Sequence, residues 1–98
     1  MSEMFGFGHG RPVPAHRHPN GGGWVANTAR VSGKAWVSVD AQVYGNAQVY
    51  SNAQVYGNAR VYGNAQVFGK ARVYGNAQVF DDAWVSDDAW VAARGLRP

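Results

Sequence analysis

The 98-residue chain has no cysteine, which excludes disulfide cross-links and thiolate chemistry. Histidine ends at His18, glutamate is confined to Glu3 and threonine to Thr28. What remains holds no Ser/His/Asp group and no phosphate-cradling glycine loop ahead of a helix. The pairs Asp81–Asp82 and Asp87–Asp88 have no basic or metal partner implied by the sequence around them and read as solvated turns. No apolar run approaches the roughly 20 residues of a membrane-spanning helix. The opening Met1-Ser-Glu-Met-Phe5 lacks the basic-then-apolar form of a secretory leader. The expectations are no catalytic residue, no cofactor, no membrane partner, and synthesis in the cytoplasm without a signal peptide. The formal net charge is +3, and its basic residues are scattered rather than gathered into a stripe, so nucleic acid is not an expected partner.

What is present is a period. A valine falls every six residues from Val25 through Val31, Val37, Val43 and onward to Val91, twelve in all. Two residues before each valine stands a small residue, Gly23 first and then Ala29, Ala35, Ala41 and so on to Ala89. A period of six fits neither the 3.6 of a helix nor an uninterrupted strand, but it fits a short strand followed by a corner. Within a hexad the small residue and the valine face one side, while residues such as Gln42 and Tyr44 face the other. The corner positions are pairs such as Gly45-Asn46, Ser51-Asn52, Gly33-Lys34 and Asp81-Asp82, residue types that accept tight turns. A strand that turns every six residues must coil, and its valine side is buried by closing the coil on itself.

The run Val-Tyr-Gly-Asn-Ala, seen from Val43 to Ala47, resembles the bacterial hexapeptide repeat, in which an aliphatic residue is followed four positions later by a small one. The resemblance implies an all-β, left-handed parallel β-helix of triangular section with three hexads per coil, hence about four coils from twelve hexads. The chain also departs from the pattern, because the position after the aliphatic residue is mostly Tyr or Phe here rather than small or acidic. The domain organisation expected is an N-terminal arm (1–22), the repeat array (23–92) and a C-terminal cap (93–98) with Leu96 as its plug.

Stacking every third hexad lines up the outward rings. Tyr44, Tyr62 and Phe80 share one face, Tyr50 and Phe68 the second, Tyr56 and Tyr74 the third. Coils about 4.8 Å apart let such rings stack. The outer coils carry Trp24, Trp36, Trp84 and Trp90 instead. These rings either shield thin sheets or mark faces for self-association or ligand stacking. The resemblance implies side-by-side homo-oligomers, with a trimer favoured.

Residues 1–22 hold Gly, Pro and His with almost no periodicity, and Pro12, Pro14 and Pro19 forbid a regular helix. They read as a flexible docking arm with Phe5 and Phe7 as anchors that order on a partner, or else as a disordered tail or a local cap over the first coil. His16 and His18 point the same way on an extended chain. Only three copies about one axis would supply enough imidazoles for a metal, so a polar arm without metal is the expectation.

Hexapeptide-repeat enzymes are mostly acyltransferases that present a catalytic His; residues 19–98 contain none, and no loop interrupts the hexads. The function expected is non-enzymatic: a structural and interaction module with virion or scaffold proteins as partners. Its small size, absent chemistry and arm, with a resemblance to the Val-Tyr-Gly-Asn-Ala repeats of bacterial and bacteriophage proteins, lead to the expectation of a virion component, a capsid decoration or tail accessory protein. The alternative is a carbohydrate or small-molecule binder using outward Tyr and Trp, and a degenerate acyltransferase ranks last.

Overall fold

A computed structural model describes residues 3–6, 12–86 and 90–91. Phe7 and Leu96, the second anchor and the plug expected from the sequence, lie outside the described residues, as does the expected 93–98 cap. Strands β1 (Glu3–Phe5), β2 (Val13–Arg17) and β3 (Trp24–Ala26) open the chain. One two-residue strand per hexad follows: β4 (Arg30–Val31), β5 (Trp36–Val37), β6 (Gln42–Val43), β7 (Gln48–Val49), β8 (Gln54–Val55) and β9 (Arg60–Val61). The series ends with β10 (Gln66–Val67), β11 (Arg72–Val73), β12 (Gln78–Val79), β13 (Trp84–Val85) and β14 (Trp90–Val91). No helix occurs among the described residues.

The hexad strands build three parallel sheets, β3-β6-β9-β12, β4-β7-β10-β13 and β5-β8-β11-β14. Each pairing joins residues three hexads apart, as in Val25 to Val43 to Val61. The chain is therefore a three-sided β-solenoid in which three steps, each of three hexads, link four levels. Hexads below the last level donate from their outward residues to the level above, as Gln42 N to Ala59 O at 3.0 Å, Tyr44 N to Val61 O at 2.9 Å and Asn46 N to Gly63 O at 2.9 Å. The corner closes locally, as where Ala47 N donates to Tyr44 O at 3.4 Å. Every inward Ala and Val from Ala35 to Val79 is buried, so the core is a column of small branched side chains. Burying each valine contributes very roughly 1.5–2 kcal/mol before chain entropy is set against it.

Corners of the upper levels need a left-handed residue in first place. Gly45, Gly57, Gly63, Gly69 and Gly75 supply it with φ between 63° and 69°, and Ser51 (φ 61°) and Asp81 (φ 56°) adopt it despite their Cβ atoms. Gly33, a corner glycine of the first level, stays outside this region. A Cβ on Gly63 would also lie 2.7 Å from Asp81 N. The pair makes a test. Ser51→Gly is expected to stabilise by about 1 kcal/mol, and Gly63→Ala to destabilise by about 2 kcal/mol, from left-handed strain and crowding. Denaturant midpoints of the two variants check both signs.

The segment expected as a flexible arm is, where described, a folded cap over the first level. β1 and β2 form an antiparallel pair, and β2 runs antiparallel to β3 with Ala15 opposite Ala26 and Arg17 opposite Trp24. The next residues cross to β5, where Val37 N donates to Asn20 O (3.1 Å) and Gly23 N to Val37 O (2.8 Å). The physical reason is the open first-level edge, whose unpaired peptide groups the segment satisfies. It also explains why the first hexad has Gly23 where the others have Ala. A Cβ there would lie 2.3 Å from Val37 Cγ1. Two of the three first-level edges are thus covered. β4 pairs only with β7 among the described residues.

Candidate functional site

Outward positions form two columns per face, one before the valines and one after. The second column carries the expected ring ladders. Tyr44 and Tyr62 stack at 4.8 Å between centroids with 2° between planes, and Tyr62 and Phe80 at 5.5 Å. Tyr50 and Phe68 stack at 5.1 Å on the second face, Tyr56 and Tyr74 at 5.3 Å on the third. The first column pins the phenols. Tyr50 OH donates to Gln66 Oε1 at 3.4 Å and Tyr62 OH to Gln78 Oε1 at 3.0 Å, both from the level above. Tyr44 bonds Arg60 at the same spacing. Burial holds the Tyr44 phenol above its ordinary pKa, against a smaller opposing pull from the Arg60 cation. Gln42 has no such phenol below it because residue 26 is alanine, and its Oε1 is buried without a hydrogen bond.

Each ladder stops one level short of the capped end, where the column holds Ala26, Ser32 or Ser38 instead of a ring. This leaves a notch under the last tyrosine of each face. On the first face the cap fills it: Ala15, Ala26 and Tyr44 form a small buried cluster against Phe5, Trp24 and Tyr62, and Tyr44 is only 5% exposed. Phe5 stacks on Trp24 at 4.6 Å and 18°, and Arg17 lies over the same indole, its guanidinium carbon 4.6 Å from the ring centroid. Phe5, expected as an anchor for a partner, is therefore engaged within the chain.

On the second face the notch is open. It is lined by Arg30, Val31, Ser32, Gln48, Val49 and Tyr50. On the third face a groove of about 460 Å³ lies beside the column before the valines and is lined by Asn20, Lys34, Trp36, Asn52, Gln54 and Tyr56. Trp36 is 43% exposed there, and Trp84 at the far level is 64% exposed with its edge toward Phe68 at 6.2 Å. The side chain of Trp90 lies outside the described residues.

The two histidines do not act as a pair. His16 is exposed, with Nδ1 2.6 Å from Asn27 Oδ1, whereas His18 is 3% exposed and its Nε2 lies 2.8 Å from Ala35 O. A carbonyl only accepts, so that nitrogen carries the proton and is committed to the cap. No cluster of three or more His, Cys, Asp or Glu occurs among the described residues. Sequence reasoning missed the buried role of His18 and the part Asn20 plays in the groove. Asn20 donates its amide to Ala35 O at 3.3 Å and so stands at the groove's rim.

Comparison with known proteins bears on the repeats. Searches of curated proteins and of solved structures returned no match. A family model described as the YdcK Beta solenoid repeat matches residues 53–69 and 71–87, so over these two consecutive stretches the chain is similar to a β-solenoid repeat family.

Proposed function

We propose that this chain is a non-catalytic scaffold and interaction module of the hexapeptide-repeat, left-handed β-helix type. The observation that supports it best is the uninterrupted prism, whose corners are two residues long and whose outward columns are stacked rings, two of its tryptophans standing exposed. Such faces suit association with a flat apolar partner. The resemblance to Val-Tyr-Gly-Asn-Ala repeat proteins carries the more specific reading, a virion component that decorates a capsid or accompanies a tail. With Phe5 engaged in the cap, docking passes from the arm to the ring columns.

Self-association through the second face (Tyr50, Phe68 and Trp84) should give a trimer, with three times the 10.6 kDa mass of one chain. Light scattering across a hundredfold range of concentration checks this, and Trp84→Ser should return the mass to that of the monomer. A monomer at every concentration would overturn the trimer. The open groove at Trp36 favours a second reading, binding of a small ligand such as a carbohydrate.

A further inference from the structure

We propose that the groove between Trp36 and Tyr56 binds a carboxylate-bearing pyranose. This rests on the reading of the chain as an interaction module and names a ligand for one of its faces. Three properties of the groove converge on that chemistry.

The first is an aromatic platform. Tyr56 is stacked by Tyr74 on one side, and the first-level position below it is Ser38, so a small residue stands where the ladder would continue. Trp36 runs beside Gly21, where a Cβ would sit 3.1 Å from Trp36 Cε2. The indole and the phenol ring that line the groove offer flat apolar surface for the C–H face of a sugar.

The second is hydrogen-bonding capacity. Asn52 and Gln54 bring two amides that can donate and accept, and Asn20, whose amide nitrogen is engaged by the carbonyls of Gly33 and Ala35, adds an accepting Oδ1, all in a groove of about 460 Å³. Sugar hydroxyls also donate and accept, so amides match them without imposing a charge. That size falls in the usual range of small-ligand sites.

The third is charge. The lining contains one cation, Lys34, and no acid. Lys34 is exposed at the corner next to Trp36, where its ammonium can meet a carboxylate on the sugar ring at the groove's edge. A neutral sugar would leave that cation unused, and a phosphate would be served better by several cations than by amides and rings.

The experiment is a tryptophan-fluorescence titration of the full chain with tetragalacturonate, with 3′-sialyllactose and with neutral cellotetraose. A saturable change with either acidic sugar, at least tenfold tighter than with cellotetraose, is expected, and the two acidic arms identify which source of carboxylate fits. Trp36→Phe should abolish the change. Lys34→Gln should weaken binding at least tenfold with an unchanged circular dichroism spectrum and melting temperature. No saturable response to either acidic sugar, equal affinity for cellotetraose, or a response that survives Trp36→Phe would each overturn the proposal. The oligomeric mass is measured separately, so a failed titration leaves the scaffold reading standing, and a monomeric mass leaves the groove to be judged on its own titration.

Discussion

Removing residues 1–22 turns a particle of constant mass into one that grows with concentration. The cap satisfies β3 through β2 and satisfies β5 through Asn20 and Gly23. Without it, all three first-level edges present unpaired peptide groups in a flat triangle, the same shape as the last level of another copy. Such edges are templates for further strands. Charge assists, because the first level, with Arg30 and Lys34 against Asp40, is net positive while Asp81 and Asp82 lie on the last. The deletion also uncovers Tyr44 and Trp24, which costs on the order of 3 kcal/mol at the usual worth of a buried aromatic. For a chain this short that corresponds to a fall of about 10 °C or more in melting temperature. Sedimentation velocity at increasing concentration should show a broadening series of linear assemblies. A truncated chain that stays folded at constant mass would show that the cap has no blocking role.

Val61→Asp should leave the chain unfolded at neutral pH. Val61 is fully buried at a middle level and pairs with Val43 on one side and Val79 on the other. A carboxylate there has no partner in a column of Ala and Val, and an unpaired buried charge costs several kcal/mol. Total stability for a domain of this size is on the order of 5–15 kcal/mol. In a solenoid each level leans only on its neighbours, so a failed middle level severs the stack rather than fraying its end. Burial raises the pKa of the new carboxyl in the folded state. Folding is therefore favoured below the unfolded-state pKa and lost as pH rises through the folded one, and acidification should restore part of the β signal. Val31→Asp is the control. Val31 is only partly buried, on the β4 edge that pairs only with β7 among the described residues, and the variant should lose only about 1–2 kcal/mol and stay folded. Circular dichroism of both variants at pH 4 and pH 7 checks the pair. A Val61→Asp chain that melts close to the parent would contradict the burial of this column.

The array was legible because its signal is local and repeated. Each Val and Ala states its own facing, and the register between levels follows from three hexads per turn. The ring ladders followed from the same arithmetic, since Tyr44, Tyr62 and Phe80 stand three hexads apart. The cap stood in the sequence only as one of several readings of residues 1–22, and its strands could not be placed. Its strands carry no hexad and little alternation, and what fixes them is tertiary: Ala15 against Ala26, Phe5 on Trp24, and the His18 ring on the carbonyl of Ala35. The one hint was compositional. Ala26 and Gly23 are smaller than their counterparts in later hexads, which is what a segment crossing over them requires. The groove was hidden for the same reason, because Trp36 and Tyr56 belong to different columns and Asn20 comes from the cap.

The three-hexad register makes the molecule a ruler. Duplicating one complete turn, such as residues 59–76, inserts a level whose corners, core and rings match those above and below, and lengthens the axis by about 4.8 Å. Losing one shortens it by the same step. Gaining or losing a single hexad keeps the core intact but rotates every later side chain by one face, so that ring columns break and restart beside their former neighbours. Length can therefore vary among descendants of such a chain in steps of one turn without disturbing the capped end, whereas a change of one hexad redraws all three surfaces at once.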